Sequence, residues 1–162
     1  MLTDTTEQII RDKVTAQKDK PGALLPILHD IQDALGHIPT QAVSLIAEGL
    51  NLSRAEVHGV ITFYHFFRSA PVGQTVVQIC RAESCQSMGS ERLWEHACRH
   101  LAVDANAGPH GATSADGAIT LLPVYCLGLC STSPAVSFND KVHARVDADK
   151  FDALVARARS AA

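Results

Sequence analysis

The sequence predicts an α/β protein in which a small helical bundle precedes a mixed α/β domain. Up to about residue 70, apolar residues recur at spacings of three and four, which is the spacing of a buried helix face. Beyond residue 74, short β-branched runs alternate with helical stripes. The segment "SAPVGQ", residues 69–74, lies between the two patterns and contains a Pro and a Gly, which favour a linker. We therefore expect two domains, 1–70 and 71–162.

Four short amphipathic helices are predicted in the first domain. The first, near the N-terminus, has a weak apolar stripe. The second lies in "GALLPILHDIQDALG" and ends at Gly36, a residue suited to the left-handed conformation that terminates helices. The third covers residues 40–50. The fourth begins at Ser53, whose side chain can cap the helix while Glu56 reaches back in a capping box, and its apolar face is expected to extend to Tyr64.

The second domain is predicted to follow the order β-α-β-β-β-α. Its sequence alternates strand-like apolar runs with two helical stripes, and this mixture favours a layered α/β architecture compatible with a thioredoxin-like sheet. The predicted elements are a strand at 75–80, a helix at 89–103, a loop at 105–117, a strand at 118–125, a hairpin formed by 135–138 and 141–146, and a helix at 147–160.

Composition limits the classes of partner. Hydrophobic residues make up 46% and charged residues 19% of the chain, and the net charge is −3, so nothing indicates a basic surface for nucleic acid. No apolar stretch approaches the ~20 residues of a membrane span. The N-terminus does not have the basic start and apolar core of a secretory signal. We therefore expect a cytoplasmic protein without membrane insertion.

The cysteines carry the strongest functional signal. Structural disulfides are rare in a reducing cytosol, so clustered cysteines indicate metal binding or redox chemistry. Cys80 and Cys85 form C-x4-C where a predicted strand meets a helix, and Cys126 and Cys130 form C-x3-C directly after another strand. Two such strand ends can lie side by side in a sheet, which would bring the four thiols together at one edge.

Several kinds of site compete for these two pairs. A thioredoxin-type dithiol requires C-x-x-C at a helix start, and neither pair has that spacing. A zinc ion binds four thiolates in tetrahedral geometry, so a zinc-stabilised interaction module remains an alternative. The C-x4-C spacing is, however, longer than the C-x-x-C spacing that is usual for the zinc knuckle. Free buried thiols would pack as small hydrophobes, which does not explain two tight pairs beside loops. A [2Fe-2S] cluster contains two irons and tolerates pairs that sit slightly apart.

Longer segments resemble a known family. "ICRAESC", followed after about forty residues by "YCLGLCSTSPAV", resembles the thioredoxin-like [2Fe-2S] ferredoxins. "LLPILHDIQDALGHIP" and "EVHGVITFYHFF", with an F-Y-x-x-F signature at Phe63, Tyr64 and Phe67, are similar to the N-terminal bundle of the 24-kDa subunit of respiratory NADH dehydrogenase. The resemblance implies a thioredoxin-like fold for residues 71–162. It also implies that four cysteines ligate the cluster: Cys80, Cys85, Cys126 and Cys130.

The same resemblance implies an electron-transfer subunit that has no catalytic residues of its own. Its expected partner is a larger subunit of the 51-kDa type, which carries FMN and the NAD site within a multi-subunit complex. Such small subunits occur in respiratory NADH dehydrogenase, in NAD-linked hydrogenases and in soluble NAD-dependent, molybdenum-containing formate dehydrogenases. The compact chain is most similar to the gamma subunit of the formate dehydrogenases, so formate is the expected terminal substrate.

Two positions depart from the family pattern V-E-C-L-G-x-C-x-x-A-P. Tyr125 stands where Glu is common, and Ser133 stands where Ala is common. Both changes leave the four cysteines intact. We therefore expect them to affect the reduction potential rather than cluster binding.

The remaining candidates have simpler interpretations. Cys98 lies mid-helix on an apolar stripe and is expected to be a core thiol. His96 and His100 are four residues apart, a spacing that could hold a metal, but no further ligand accompanies them in a sequence motif, so we interpret them as a surface pair. The aromatic group from Phe63 to Phe67 is expected in the bundle core or at a subunit interface.

Overall fold

The apolar stripes before residue 70 form four α-helices in a computed structural model that describes residues 3–108 and 111–160. These helices belong to the first of two units into which the chain divides, residues 1–71 and 72–162. Within the described residues, every helix is too short or too polar to serve as a membrane span. The helices of the first unit are α1 (Asp4–Gln17), α2 (Leu24–Leu35), α3 (Ala42–Leu50) and α4 (Arg54–Phe63).

Local sequence signals set the ends of these helices. Gly36 ends α2 with φ of 77°, a left-handed conformation that glycine adopts without a Cβ penalty. The capping box at the start of α4 is confirmed: the Ser53 hydroxyl accepts from the Glu56 N–H, and the Glu56 carboxylate accepts from the Ser53 N–H. The expected continuation of this helix to Tyr64 is wrong, because α4 ends at Phe63 and Tyr64 is extended.

A buried glutamine explains why the chain leaves the helix there. The Gln32 side chain donates to the Phe66 carbonyl at 2.9 Å and accepts from the Arg68 N–H at 2.8 Å. These tertiary bonds satisfy backbone groups that a longer helix would have paired within itself. Phe67 is consequently buried in the core of the unit, whereas Phe63 and Phe66 are 73% and 54% exposed.

The second unit is a five-stranded sheet with helices packed against it. Its elements are β1 (Thr75–Cys80), α5 (Glu83–Ser87), α6 (Ser90–Leu101), β2 (Ala112–Thr113), β3 (Ile119–Val124), β4 (Val136–Phe138), β5 (Lys141–His143) and α7 (Ala148–Ser160). The strand order is β2-β3-β1-β4-β5, with β1 and β3 parallel and the other neighbours antiparallel. The core joins the sheet to α6 and α7 through Trp94, Cys98 and Phe151.

Two of these elements were not expected from the sequence. The helix α5 has five residues and is too short to show an apolar period. The strand β2 has two residues and lies inside the predicted loop 105–117, where its pairing with β3 fixes it. Within that loop, Pro109 and His110 lie outside the described residues.

Candidate metal centre

Both cysteine pairs follow neighbouring parallel strands. In the register of β1 and β3, Cys80 lies opposite Val124, so both strands end at the same edge of the sheet. Cys85 follows within α5, and Cys130 begins a short 3₁₀ helix, Cys130–Thr132. The topology therefore brings the ends of both cysteine motifs together, as the strand pattern indicated.

The two thiols of each pair influence each other's ionisation. Cys85 raises the pKa of Cys80, Cys126 raises the pKa of Cys130, and Cys85 also acts electrostatically on Cys130. All four cysteines are free. An all-sulfur donor set suits soft metals, and iron–sulfur clusters in particular, so these residues fit such a group chemically.

Burial divides the four cysteines into an inner and an outer pair. Cys80 and Cys85 are each 2% exposed, whereas Cys126 and Cys130 are exposed. The inner pair packs against a small apolar layer formed by Ala82, Val124, Leu127, Leu129 and Ala135. One side of a metal group held here would be shielded from water, and the other side would face outward.

Serine hydroxyls link the inner pair to the outer pair. The Ser133 Oγ lies 3.3 Å from the Cys85 Sγ, and the same hydroxyl donates to the Cys130 carbonyl at 2.9 Å. The Ser84 hydroxyl also donates to that carbonyl, at 2.9 Å. The sequence marked Ser133 as a departure from the family pattern, but only the structure shows that Ser84 and Ser133 meet at Cys130.

The loop after β3 has an unusual backbone at the outer pair. Cys126 has φ of 141° and Gly128 has φ of 75°. A positive φ at a non-glycine residue costs of the order of 1–3 kcal/mol and recurs at functional sites. In this conformation the Gly128 N–H donates to the Cys126 Sγ at 3.3 Å, so the backbone supplies a donor to one of the sulfurs.

The pKa directions reflect this crowding. Burial raises the pKa of Cys80, and the neighbouring Cys85 adds to the rise. Burial also opposes ionisation of Cys85, yet its pKa lies below the ordinary value because Ser133 and the Ala135 backbone stabilise its thiolate. Charge on Cys126 raises the pKa of Cys130. A bound cation would relieve this mutual repulsion, because metals stabilise thiolates.

A charged network lies next to the inner pair. Arg81, which follows Cys80, donates from Nε and Nη2 to the two carboxylate oxygens of Glu91 at 2.9 and 2.7 Å. Its guanidinium also lies 4.9 Å from the Trp94 ring centroid. The Arg81 backbone N–H donates to the Val124 carbonyl, so this residue ties the end of β1 to both α6 and β3.

A cleft opens beside Cys130. It has a volume of about 610 Å³, and its lining includes Ser84, Arg92, Arg145 and Asp147. The cleft gives the Cys130 side of the site a concave approach that carries charges of both signs.

A sequence profile of the thioredoxin-like [2Fe-2S] ferredoxins matches residues 8–159. The chain belongs to this family, and within it to the type that forms a subunit of NADH-quinone oxidoreductases. The expectation of a thioredoxin-like fold is thereby confirmed, as is the expectation of a [2Fe-2S] cluster as cofactor.

Similarity to individual members of this ferredoxin family extends over most of the chain. It is 33% identical over 157 residues to an NADH-quinone oxidoreductase subunit of Rhizobium meliloti, which covers 97% of this chain and 90% of the relative. It is 32% identical over 139 residues to subunit 2 of the Thermus thermophilus enzyme, covering 85% and 74%. A more distant relative is the HndA subunit of the NADP-reducing hydrogenase of Solidesulfovibrio fructosivorans, 26% identical with coverage of 85% and 77%.

A solved structure shares the fold. An NAD⁺-reducing [NiFe]-hydrogenase in the H₂-reduced state matches with a TM-score of 0.67 and 26% identity over 85% of this chain. The ferredoxin chain spans only 22% of that hydrogenase chain. The similarity therefore concerns one part of a much larger polypeptide.

The other candidate residues lie apart from the four thiols. Cys98 is buried in the core beside Trp94, as expected, and burial raises the pKa of its thiol. His96 and His100 do not stand alone on the surface, because both contact Asp152 of α7. The sequence could not reveal this carboxylate, which lies more than fifty residues further along the chain.

Proposed function

We propose that this chain is the electron-transfer subunit of an NAD-linked oxidoreductase complex. Its [2Fe-2S] cluster is held by four cysteines: Cys80, Cys85, Cys126 and Cys130. The observation that carries the proposal is the meeting of two free cysteine pairs at the ends of the parallel strands β1 and β3 in a member of this ferredoxin family. When bound, such a cluster takes up and releases one electron at a time.

The four cysteines would hold the cluster from two sides. Cys80 and Cys85 bind on the inner side, where the apolar layer behind them excludes water. Cys126 and Cys130 bind on the exposed side, where a redox group of another subunit would approach. The chain provides binding, orientation and hydrogen bonds to sulfur, the features by which a protein sets the potential of a metal centre, so its role is non-catalytic.

The proposed partner is a larger subunit of the 51-kDa type that carries FMN and the NAD site. The names of the relatives support a partner within a multi-subunit complex, since they describe subunits of NADH-quinone oxidoreductases and of an NADP-reducing hydrogenase. In the first unit, Phe63, Tyr64 and Phe66 are exposed to 73%, 42% and 54%. Exposed aromatic side chains that adjoin one another are typical of protein interfaces, and we assign this aromatic group to partner docking.

The terminal substrate is the finer part of the proposal. We propose formate, on the resemblance to the gamma subunits of soluble molybdenum formate dehydrogenases, with a cytoplasmic complex. Hydrogen and quinone are the alternatives, and the names of the relatives point to those two. Purification of the complex from the native host would identify the partner subunits, and reduction of NAD⁺ by formate or by hydrogen would then distinguish the substrates.

The ligand assignment is tested by single substitutions in the full chain. Each of four variants should lower iron content and visible absorbance, because each removes one of four thiolates: Cys80→Ser, Cys85→Ser, Cys126→Ser and Cys130→Ser. Cys98→Ser is the matched control and should retain two irons per chain. A colourless wild-type protein that contains zinc would instead establish the zinc-stabilised interaction module. Loss of iron from Cys98→Ser together with its retention in Cys85→Ser would overturn the assignment.

A further inference from the structure

A second group of metal-binding side chains lies between the two helices that cover the sheet. His96 and His100 project from α6, and Asp152 projects from α7. The Asp152 Oδ1 lies 2.7 Å from the His96 Nε2 and 3.3 Å from the His100 Nδ1. One potential ligand atom from each residue lies within 4.8 Å of the other two. None of these residues takes part in the four-cysteine site.

These separations suit a small transition-metal ion. Zinc binds imidazole nitrogen at about 2.0–2.1 Å and carboxylate oxygen at about 2.0–2.2 Å, in tetrahedral geometry. Two ligands at those distances lie roughly 3.3 Å from each other. The two distances to Asp152 are 2.7 and 3.3 Å, so the longer one already matches that value and the shorter one must open by about 0.6 Å. The three ligand atoms all lie within 4.8 Å of one another, so small side-chain movements would place them around one ion.

The packing of the rings holds this arrangement in place. The two imidazoles are stacked, with centroids 5.9 Å apart and planes inclined by 24°. Phe151 meets both of them edge-on, at 6.3 Å in each case, and it is fully buried beside its neighbour Asp152. Ligands mounted on packed helices and oriented by a buried ring lose little freedom when they bind a metal.

We propose that His96, His100 and Asp152 form a second metal site, which binds a divalent transition metal of the zinc class. Imidazole and carboxylate ligands suit Zn²⁺, Co²⁺, Ni²⁺ or Cu²⁺, whereas Mg²⁺ and Ca²⁺ prefer sites made of oxygen alone. The side chains are 28%, 35% and 38% exposed, so water completes the coordination. Bound metal would link α6 to α7 and stabilise the second unit, since a ligand that binds only the folded state raises its stability.

The proposed site is separate from the cysteines along the helix. Gly89 and Arg92, at the start of α6, line the cleft beside Cys130. His96 and His100 lie seven and eleven residues beyond Gly89, or about 10 and 16 Å along the helix at 1.5 Å per residue. Binding at the two sites can thus be measured independently, by zinc content for one and by iron content for the other.

The test uses the full-length, iron-loaded chain, so that the four cysteines are already occupied. After treatment with a chelator, ZnCl₂ is titrated in by calorimetry, and bound metals are counted by elemental analysis. We expect one zinc per chain in addition to the cluster iron. Both Asp152→Asn and the double variant His96→Gln/His100→Gln should weaken zinc binding at least tenfold. The control His58→Gln changes an exposed histidine of the first unit and should bind as the wild type does.

A second readout guards against misfolding and against binding elsewhere. Zinc should raise the thermal midpoint of the wild type and of His58→Gln, but not that of the double variant, while cluster absorbance shows that each protein is folded. If the double variant loses its cluster, the zinc affinity of Asp152→Asn alone tests the proposal. The proposal is overturned if the iron-loaded wild type binds no zinc, or if the variants bind it as tightly as the wild type. In either case the three residues form only a cluster of polar contacts.

Discussion

The hydroxyl oxygen of Ser133 lies 3.3 Å from the sulfur of Cys85. Ser133 is buried, and its hydroxyl also reaches the carbonyl of Cys130, so one side chain contacts the inner and the outer cysteine pair. The family pattern commonly has alanine at this position, which cannot make either bond. This serine therefore adds a polar contact to a sulfur that otherwise lies against an apolar layer.

Ser133→Ala should lower the reduction potential of the cluster. A cysteine that ligates the cluster has no proton, so the Ser133 hydroxyl must turn from the Cys130 carbonyl, to which Ser84 also donates, in order to donate to the Cys85 sulfur. A hydrogen bond donated to a ligand sulfur stabilises the additional negative charge of the reduced state. Removing it should shift the midpoint downward by roughly 20–60 mV, where 59 mV corresponds to a tenfold change for one electron. A titration followed by electron paramagnetic resonance measures the shift.

The control for this variant is Ser131→Ala, an exposed serine on the same turn, which should leave the potential unchanged. The fold should survive Ser133→Ala, because Ser84 still donates to the Cys130 carbonyl. An unchanged or raised potential would mean that the Ser133 proton stays on that carbonyl and does not reach the sulfur.

Elements with a long apolar period could be predicted from the sequence. The four helices of the first unit and the helix α6 all carry such a stripe, and Gly36 and Ser53 are local signals that mark their ends. The sequence also indicated that the two cysteine pairs could meet, since each pair lies at the end of a predicted strand, and the structure supplies the parallel pairing of β1 and β3 that places both strand ends at one edge.

The structural features that the sequence did not predict depend on tertiary contacts. The bonds from Gln32 end α4 at Phe63, and pairing with β3 creates the two-residue strand β2. Asp152 joins the two histidines only through the packing of α7 on α6. None of these partners is near in sequence, so no local pattern could indicate them.

Glu91→Gln should destabilise the second unit by about 0.5–1 kcal/mol at pH 7. The substitution removes the negative charge that pairs with Arg81 through two hydrogen bonds. The expected loss of stability is small because both side chains are partly exposed. The hydrogen bond from Arg81 holds the pKa of Glu91 below its usual value of 4.5. A lowered carboxyl pKa contributes stability above that usual value, and the contribution is lost as the pH falls through the lowered pKa.

The pH dependence of this pair provides its check. The difference in denaturation midpoint between wild type and Glu91→Gln should stay constant from pH 8 to pH 5 and shrink only as the pH falls below the usual value of 4.5. A difference that has vanished before the pH reaches 4.5 would contradict the lowered pKa.

Gln32→Leu should destabilise the first unit by about 1–3 kcal/mol. The change removes two hydrogen bonds, to the Phe66 carbonyl and from the Arg68 N–H, and partly buried polar groups are costly to leave unsatisfied. Chemical denaturation followed by circular dichroism measures the loss. Gln41→Leu alters an exposed glutamine that makes no capping bond and should change stability by less than about 0.5 kcal/mol. Equal effects from both variants would show that the Gln32 bonds contribute nothing specific.

Tyr125→Glu should lower the reduction potential, by less than Ser133→Ala does. Tyr125 directly precedes Cys126 and is 66% exposed, and its phenol stands where the family pattern commonly has a carboxylate. A glutamate there adds a negative charge that opposes the additional negative charge of the reduced cluster, but water and salt screen an exposed charge. The downward shift should therefore shrink as ionic strength rises from 0.01 to 1 M, and Tyr125→Gln should show little of it. Redox titrations of the wild type, Tyr125→Glu and Tyr125→Gln at both ionic strengths measure these shifts. Charge at residue 125 is not the cause if the shift of Tyr125→Glu does not depend on salt, or if Tyr125→Gln shows a shift of equal size.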